Sequence, residues 1–241
     1  MGAGSAWIIH DQWICTAAHN LLDQDYGSTG VSSLTWSSNV LFVPGFNQYS
    51  GDSLSPSATN AYRVTQAVVQ PWFVKKNGPI EGRGQTAFDF AFCKVDRPFN
   101  ARFARLPIQK QSDYSVFSEN RVITLGYPGG AAFDYGQHLW QCKGKYLYRE
   151  KLGYKSTFCP VKASSLGSGV SGGPWITKDG EKYYSVELSS GPSSSHNDSF
   201  LPVNPNSIKI MSTKSPFFSE SAIDDLLVKG VRHSFSWNNV A

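Results

Sequence analysis

The stretch Gly169-Val170-Ser171-Gly172-Gly173-Pro174-Trp175 constrains this chain more than any other, because it sets one serine in a glycine-flanked turn ahead of an apolar run. Glycine at 169 and 172 allows a tight backbone with positive φ, so that N–H groups can converge on one point beside the hydroxyl. A serine hydroxyl is a weak nucleophile by itself. It needs a base to take its proton and fixed donors for the oxyanion that forms on an attacked carbonyl. The competing reading is a glycine-rich connection in which serine only forms the turn. Partners elsewhere in the chain decide between the two.

The chain has five histidines, His10, His19, His138, His196 and His233. Only His19 closes a telling segment: Trp13-Ile14-Cys15-Thr16-Ala17-Ala18-His19 reads as an apolar strand whose small final residues let an imidazole leave the strand end. The other four are read as structural or solvent-facing. No metal-ligand spacing connects them, and the cysteines are too scattered for a zinc site, so neither a metal nor any other cofactor is expected. A general base needs a buried carboxylate to hold its tautomer and stabilise its charged form. Asp89, inside Phe88-Asp89-Phe90-Ala91-Phe92-Cys93-Lys94-Val95, fits best, whereas Asp96 adjoins Arg97-Pro98 and Asp52 lies in a Gly/Ser-rich stretch. A lone aspartate among apolar residues requires a partner. His19 would supply it, the alternative being a strand-edge carboxylate paired with an arginine.

Composition favours an all-β chain. Of 241 residues, 40% are hydrophobic and 14% aromatic, with 22 Gly and 13 Pro, the balance expected of short strands joined by turns. Charged residues, at 17%, are too few for a disordered chain. Strand-sized apolar stretches occur at Ala6 to Ile9, Val40 to Val43, Val64 to Val69, Val122 to Leu125 and Tyr183 to Leu188. Only Ser219 to Gly230 reads as a helix, with serine caps at 219 or 221, apolar residues at 223, 226 and 227, and glycine as the stop. Strand signals fade between Asp96 and Asn120, where Pro98, Pro107 and a polar run occur, so the chain is expected to divide into 1–112 and 113–241. His19 and Asp89 then fall in the first half and Ser171 in the second, across a cleft.

The order His19, Asp89, Ser171, carried by Thr-Ala-Ala-His, Asp-Phe-Ala-Phe and Gly-Val-Ser-Gly-Gly-Pro, resembles the chymotrypsin-like serine proteases. Gly126-Tyr127-Pro128-Gly129-Gly130, Gly136 to Cys142 and Cys159-Pro160 make it similar to the glutamyl-endopeptidase branch of bacteria and fungi. The resemblance implies two packed six-stranded-type Greek-key β-barrels with a C-terminal α-helix, and a serine endopeptidase acting on polypeptides through an acyl-enzyme. It implies an oxyanion hole from the backbone N–H groups of Gly169 and Ser171. It also implies a substrate pocket from Ser165, Leu166 and the strand after the nucleophile, here Glu187, Leu188 and Ser189. A carboxylate at Glu187, where the branch usually has histidine, suggests a preference for basic residues, the alternative being a solvent-facing strand glutamate.

Two departures stand out. Val170 occupies the position where digestive trypsins carry an aspartate that pairs with a newly cut N-terminal amine. Only eighteen residues precede His19, which implies either a removed N-terminal segment or a first barrel with fewer strands. The branch often has a disulfide where Cys142 and Cys159 stand. Cys15 and Cys93 are buried thiols or a second pair. The chain begins without a signal-peptide pattern, and extracellular action after removal of a leader is the expectation.

Three further readings remain. Gly169-Val170-Ser171-Gly172-Gly173 satisfies the Gly-x-Ser-x-Gly elbow of α/β-hydrolases, with Asp198 or Asp224 and His233 as partners, but that elbow must run into a helix and this one reads as entering a strand. A protease-like fold kept only for binding is the non-enzyme reading. A net charge of +4 does not call for nucleic acid. Lys143, Lys145, Arg149, Lys151 and Lys155, interleaved with Tyr146, Tyr148 and Tyr154, read as a solvated hairpin or a contact for an acidic protein substrate. No membrane-spanning stretch is present, and oligomeric state is open.

Overall fold

A computed structural model describes residues 4–26, 32–46, 61–74, 88–109, 121–130, 135–146, 150–152, 156–158, 161–162, 166, 169–192, 213–214, 218 and 220–237. Two antiparallel sheets account for most of it. The first runs Ala6–His10, Trp13–Thr16, Ala91–Val95, Tyr62–Val69, Val231–Ser234, with Leu41–Phe42 also pairing onto Tyr62–Val69. The second runs Lys182–Leu188, Pro174–Asp179, Arg121–Gly126, Trp140–Tyr146, Val161–Lys162, Thr213–Lys214, Gly191–Pro192. The fold is therefore mostly β, as composition implied, and each strand-sized apolar stretch named above contributes to these sheets, Val40 to Val43 through Leu41–Phe42 alone.

The second sheet must curl. Lys182–Leu188 and Gly191–Pro192 stand at opposite ends of its strand order, yet only Ser189 and Ser190 separate them in the chain. A few ångströms per residue cannot cross a flat seven-stranded sheet whose strands lie nearly 5 Å apart, so the two ends come round to each other. Ser189 and Ser190 sit at that seam.

Two apolar clusters hold the sheets. Ile8, Ile14, Val64, Ala67, Val69, Cys93 and Val95 pack together on the first sheet, with Phe99 and Phe73 in the same cluster. The second cluster takes the opposite face of the same strands, Trp7, Cys15, Val68, Phe90 and Phe92, and adds Leu188 from the second sheet and Phe218. The helix Glu220–Lys229 closes this second cluster with Ala222, Ile223 and Leu226. Its end agrees with the glycine stop in the sequence; of the two candidate caps, Ser221 falls inside the helix and Ser219 lies outside the described residues. What the pattern did not announce is the strand after it: Val231–Ser234 pairs with Tyr62–Val69, so the far end of the chain joins the first sheet. Its His233 stacks on Trp36 with ring centroids 4.4 Å apart.

Strand alternation also resolves two cysteines. Ile14 lies opposite Cys93 and Cys15 opposite Phe92, so the two thiols project from opposite faces into different clusters. They are free and fully buried, and burial holds both well above the ordinary thiol range. Cys159 lies outside the described residues, and with it any bridge to Cys142. Of the basic stretch, Arg149, Tyr148, Tyr154 and Lys155 also lie outside them, as do His196 and Asp198.

Candidate active site

His19 and Asp89 meet because of strand register. Thr16 pairs with Ala91 in neighbouring antiparallel strands, so the residues leaving one strand and those entering the other lie at the same end. Ala17 and Ala18 are fully buried there, which only small side chains allow, and Ala18–Asn20 forms a single 3₁₀ turn that turns His19 outward. Asp89 Oδ1 accepts the His19 backbone N–H at 2.9 Å and Oδ2 lies 2.6 Å from His19 Nδ1. A carboxylate only accepts, so a proton sits on Nδ1, and in the neutral ring Nε2 keeps its lone pair.

Asp89 is 3% exposed and its ring partner is its main compensation, but a third donor completes the site: Ser190 Oγ donates to Oδ2 at 2.5 Å. Ser190 was not singled out from the sequence. It is one serine in a serine-rich stretch, and only the curl of the second sheet brings it to the carboxylate. Burial by itself would lower the His19 pKa, but the hydrogen bond and negative charge of Asp89 outweigh it and the net shift is upward.

Ser171 reaches the same seam from the other side. Its hydroxyl donates to the Ser190 carbonyl at 3.2 Å, and among the described residues that carbonyl, rather than the His19 ring, is its partner. One residue, Ser190, thus touches Asp89 through its side chain and Ser171 through its backbone. The turn is tied down by Gly172 N–H to Ser189 O at 2.7 Å, Gly173 N–H to Val170 O at 2.8 Å and Ser189 N–H to Gly173 O at 2.9 Å. The N–H groups of Gly169 and Ser171 donate to no acceptor among the described residues.

Glycine is required at both bends of this loop. Gly169 has φ +91° and Gly172 φ +87°, the left-handed side that other residues avoid. A Cβ on Gly172 would also run into the Ser5 carbonyl oxygen and the Thr16 hydroxyl. We expect Gly172→Ala to destabilise the protein by more than the roughly 1–2 kcal/mol of the left-handed penalty, read as a lower midpoint in urea unfolding. An unchanged midpoint would mean the loop adopts some other path.

The residues read as a substrate pocket part company. Ser165 lies outside the described residues. Leu166 is buried at 3% exposure. Leu188 packs into the core between the sheets with Phe90 and Phe218, on the strand face that Ser190 shares. Glu187 and Ser189 point to the other face, toward Trp175, which lies opposite Glu187 and donates its indole N–H to Ser189 Oγ at 2.9 Å. Glu187 is fully buried. After Ser171 the chain enters the strand Pro174–Asp179, where the α/β-hydrolase elbow needs a helix. No cluster of His, Cys, Asp and Glu suited to a metal ion exists among the described residues. Nor is any helix there long and apolar enough to cross a membrane.

No protein-family model matches the chain, and no curated protein matches it by sequence. Solved structures match it in fold. A thermostable serine protease, AL20, from an extremophilic microorganism shares 18% identity at a TM-score of 0.60, over 92% of this chain and 88% of that one. Protease Anisep from Arthrobacter nicotinovorans shares 17% at 0.59, over 94% and 87%. A Glu endopeptidase solved in complex with MPD shares 13% at 0.61, over 95% and 85%. The chain therefore has the chymotrypsin-like fold of these serine proteases, the glutamyl-endopeptidase type among them.

Proposed function

We propose that this chain is a serine endopeptidase, with Ser171 as nucleophile, His19 as general base and Asp89 as the group that orients and charges His19. The observation that carries the reading is the convergence of His19 Nδ1 and Ser190 Oγ on one buried Asp89 oxygen, with the Ser171 hydroxyl 3.2 Å from the carbonyl of that same Ser190. In the reaction, rotation about the Ser171 Cα–Cβ bond turns its hydroxyl toward His19 Nε2; apo geometries are often loose at this contact. The hydroxyl oxygen then bonds to the substrate carbonyl carbon while its proton passes to Nε2. The Gly169 and Ser171 N–H groups receive the oxyanion, each such donor contributing about 3–4 kcal/mol in the transition state. The imidazolium returns the proton to the leaving amine as the C–N bond breaks, and water releases the acyl group by the reverse of these steps.

The substrate is a polypeptide, with no cofactor, nucleic acid or membrane in the chemistry, and an extracellular place of action goes with the reading. For specificity, Glu187 and Ser189, buried beside Trp175 on the strand after the nucleophile, are the candidate pocket residues, and a carboxylate behind the pocket favours arginine or lysine in the substrate. Cleavage of a positional-scanning peptide library after Arg and Lys is expected; cleavage after Glu would reverse this assignment.

A second reading draws on the Ser171 hydroxyl being held by Ser190 O: a protease-like fold that binds without cutting. Fluorophosphonate labelling separates the two. An active site forms a covalent adduct at Ser171, found by mass spectrometry of the tryptic peptide, and an unlabelled protein favours the binding reading.

A further inference from the structure

We propose that Ser5 and Asn20 are positioning residues that clamp the nucleophile loop from beside the first sheet; their effect on turnover, though not the clamp itself, rests on the serine-protease reading. Every polar group of Ser5 is engaged, and its N–H and hydroxyl reach the distant segments 127 and 169–171. Its N–H donates to the Ser171 carbonyl at 2.7 Å and its hydroxyl donates to the Gly169 carbonyl at 2.9 Å. That hydroxyl accepts the Tyr127 N–H at 2.9 Å, and the Ser5 carbonyl accepts the Thr16 hydroxyl at 2.8 Å. Ser5 is 3% exposed, so these bonds are made away from competing water.

Asn20 acts from the next turn of chain. Its Nδ2 donates to the Ser171 carbonyl at 2.8 Å and to the Thr16 hydroxyl at 3.0 Å. Ser5 and Asn20 therefore hold the same oxygen, and Asn20 follows His19 directly. The two carbonyls seized this way, of Gly169 and Ser171, belong to the peptide units on either side of Val170-Ser171. Glycine at 169 and 172 gives this loop its shape but little stiffness, since glycine rotates more freely than any other residue. Anchoring both carbonyls fixes the rotation of the peptide planes between them, and with it the direction of the Ser171 N–H and the Ser171 Cα–Cβ bond. The nucleophile's aim is thereby set relative to His19 by a residue of the same 3₁₀ turn as His19 and by one just ahead of the first strand.

The test uses Ser5→Ala and Asn20→Ala in the whole chain, with Ile14→Val in the first-sheet cluster as a comparison that loosens packing without touching the loop. Ser5→Ala keeps both backbone bonds of residue 5 and loses only the two made by the hydroxyl. In ¹H–¹⁵N spectra the amide signals of Gly169 and Gly172 should shift or broaden in both clamp variants, while Gly180, in the distant turn before Lys182, stays put. In turnover, kcat should fall about 10- to 100-fold with KM within about twofold, the scale of a small misplacement of reacting groups, whereas Ile14→Val keeps kcat. The proposal is overturned if the glycine signals do not move, if kcat holds, if only KM changes, or if Ile14→Val lowers kcat as much. Should the parent protein fail to label at Ser171, the protease reading falls by itself, and the glycine signals still decide the clamp.

Discussion

Ser171→Ala should remove peptide-bond cleavage, by about 10⁶-fold in kcat, while leaving a folded protein. The two halves of that expectation have separate causes. In the proposed reaction the hydroxyl forms the new bond, so nothing else in the site would replace it. Structurally it makes one hydrogen bond, to Ser190 O, and losing a bond of that kind costs about 0.5–1.5 kcal/mol. The loop is held instead by main-chain groups that alanine keeps: Gly172 N–H to Ser189 O, and the Ser171 carbonyl to Ser5 N–H and Asn20 Nδ2. Turnover on a denatured protein substrate, alongside thermal unfolding followed by circular dichroism, checks both. Equal turnover by variant and parent would refute the nucleophile.

The second large effect is expected of Asp89→Asn, a fall of about 10⁴-fold in kcat. Asp89 receives three donors, the His19 N–H, His19 Nδ1 and Ser190 Oγ. An amide has one accepting oxygen and turns an NH₂ group toward at least one of them. Either a donor is left facing a donor or His19 moves its proton to Nε2, the atom that must take the Ser171 proton. The pH profile should move as well. In the parent the His19 pKa lies above its ordinary value of 6.5 because Asp89 outweighs the effect of burial. In the proposed mechanism the base works when neutral, so activity should be lost as pH falls through the raised value; without the Asp89 charge burial prevails and this acid limb should shift to lower pH.

Stability carries the opposite sense. A group whose folded pKa is raised contributes stability fully below its unfolded value and loses it as pH rises through the folded one. The parent should therefore lose the His19–Asp89 contribution between 6.5 and the raised folded pKa, and Asp89→Asn should flatten that slope. An acid limb that stays in place in the variant would show that Asp89 does not set the charge of His19.

Much of this site could be read in advance because its signals are local. Thr16 to His19 announces a strand that ends in small residues, and the structure ends it at Thr16 with Ala17 and Ala18 buried. Gly169 and Gly172 announce left-handed turns, and both adopt them. Ser5, Asn20 and Ser190 carry no such mark. Each is a small polar residue whose neighbours predict nothing, and each matters only through a partner more than seventy residues away: Gly169, Ser171 and Asp89 respectively. Leu188 and Glu187 show the same limit at the scale of one strand. Adjacent residues must face opposite ways, but which of them meets the interior between the sheets depends on how the sheet curls.

By itself the sequence determined a chain of short strands with one late helix, a serine bent out on glycine hinges, and one histidine and one aspartate suited to serve it. Those properties follow from backbone torsion, side-chain alternation and the cost of burying a charge, which act between neighbours in the chain. The tertiary structure alone decided that Ser190 completes the Asp89 shell, that Ser5 and Asn20 grip the loop, and that Val231–Ser234 joins the first sheet. Those contacts depend on the register between strands and on the closure of the second sheet, which the whole core fixes at once.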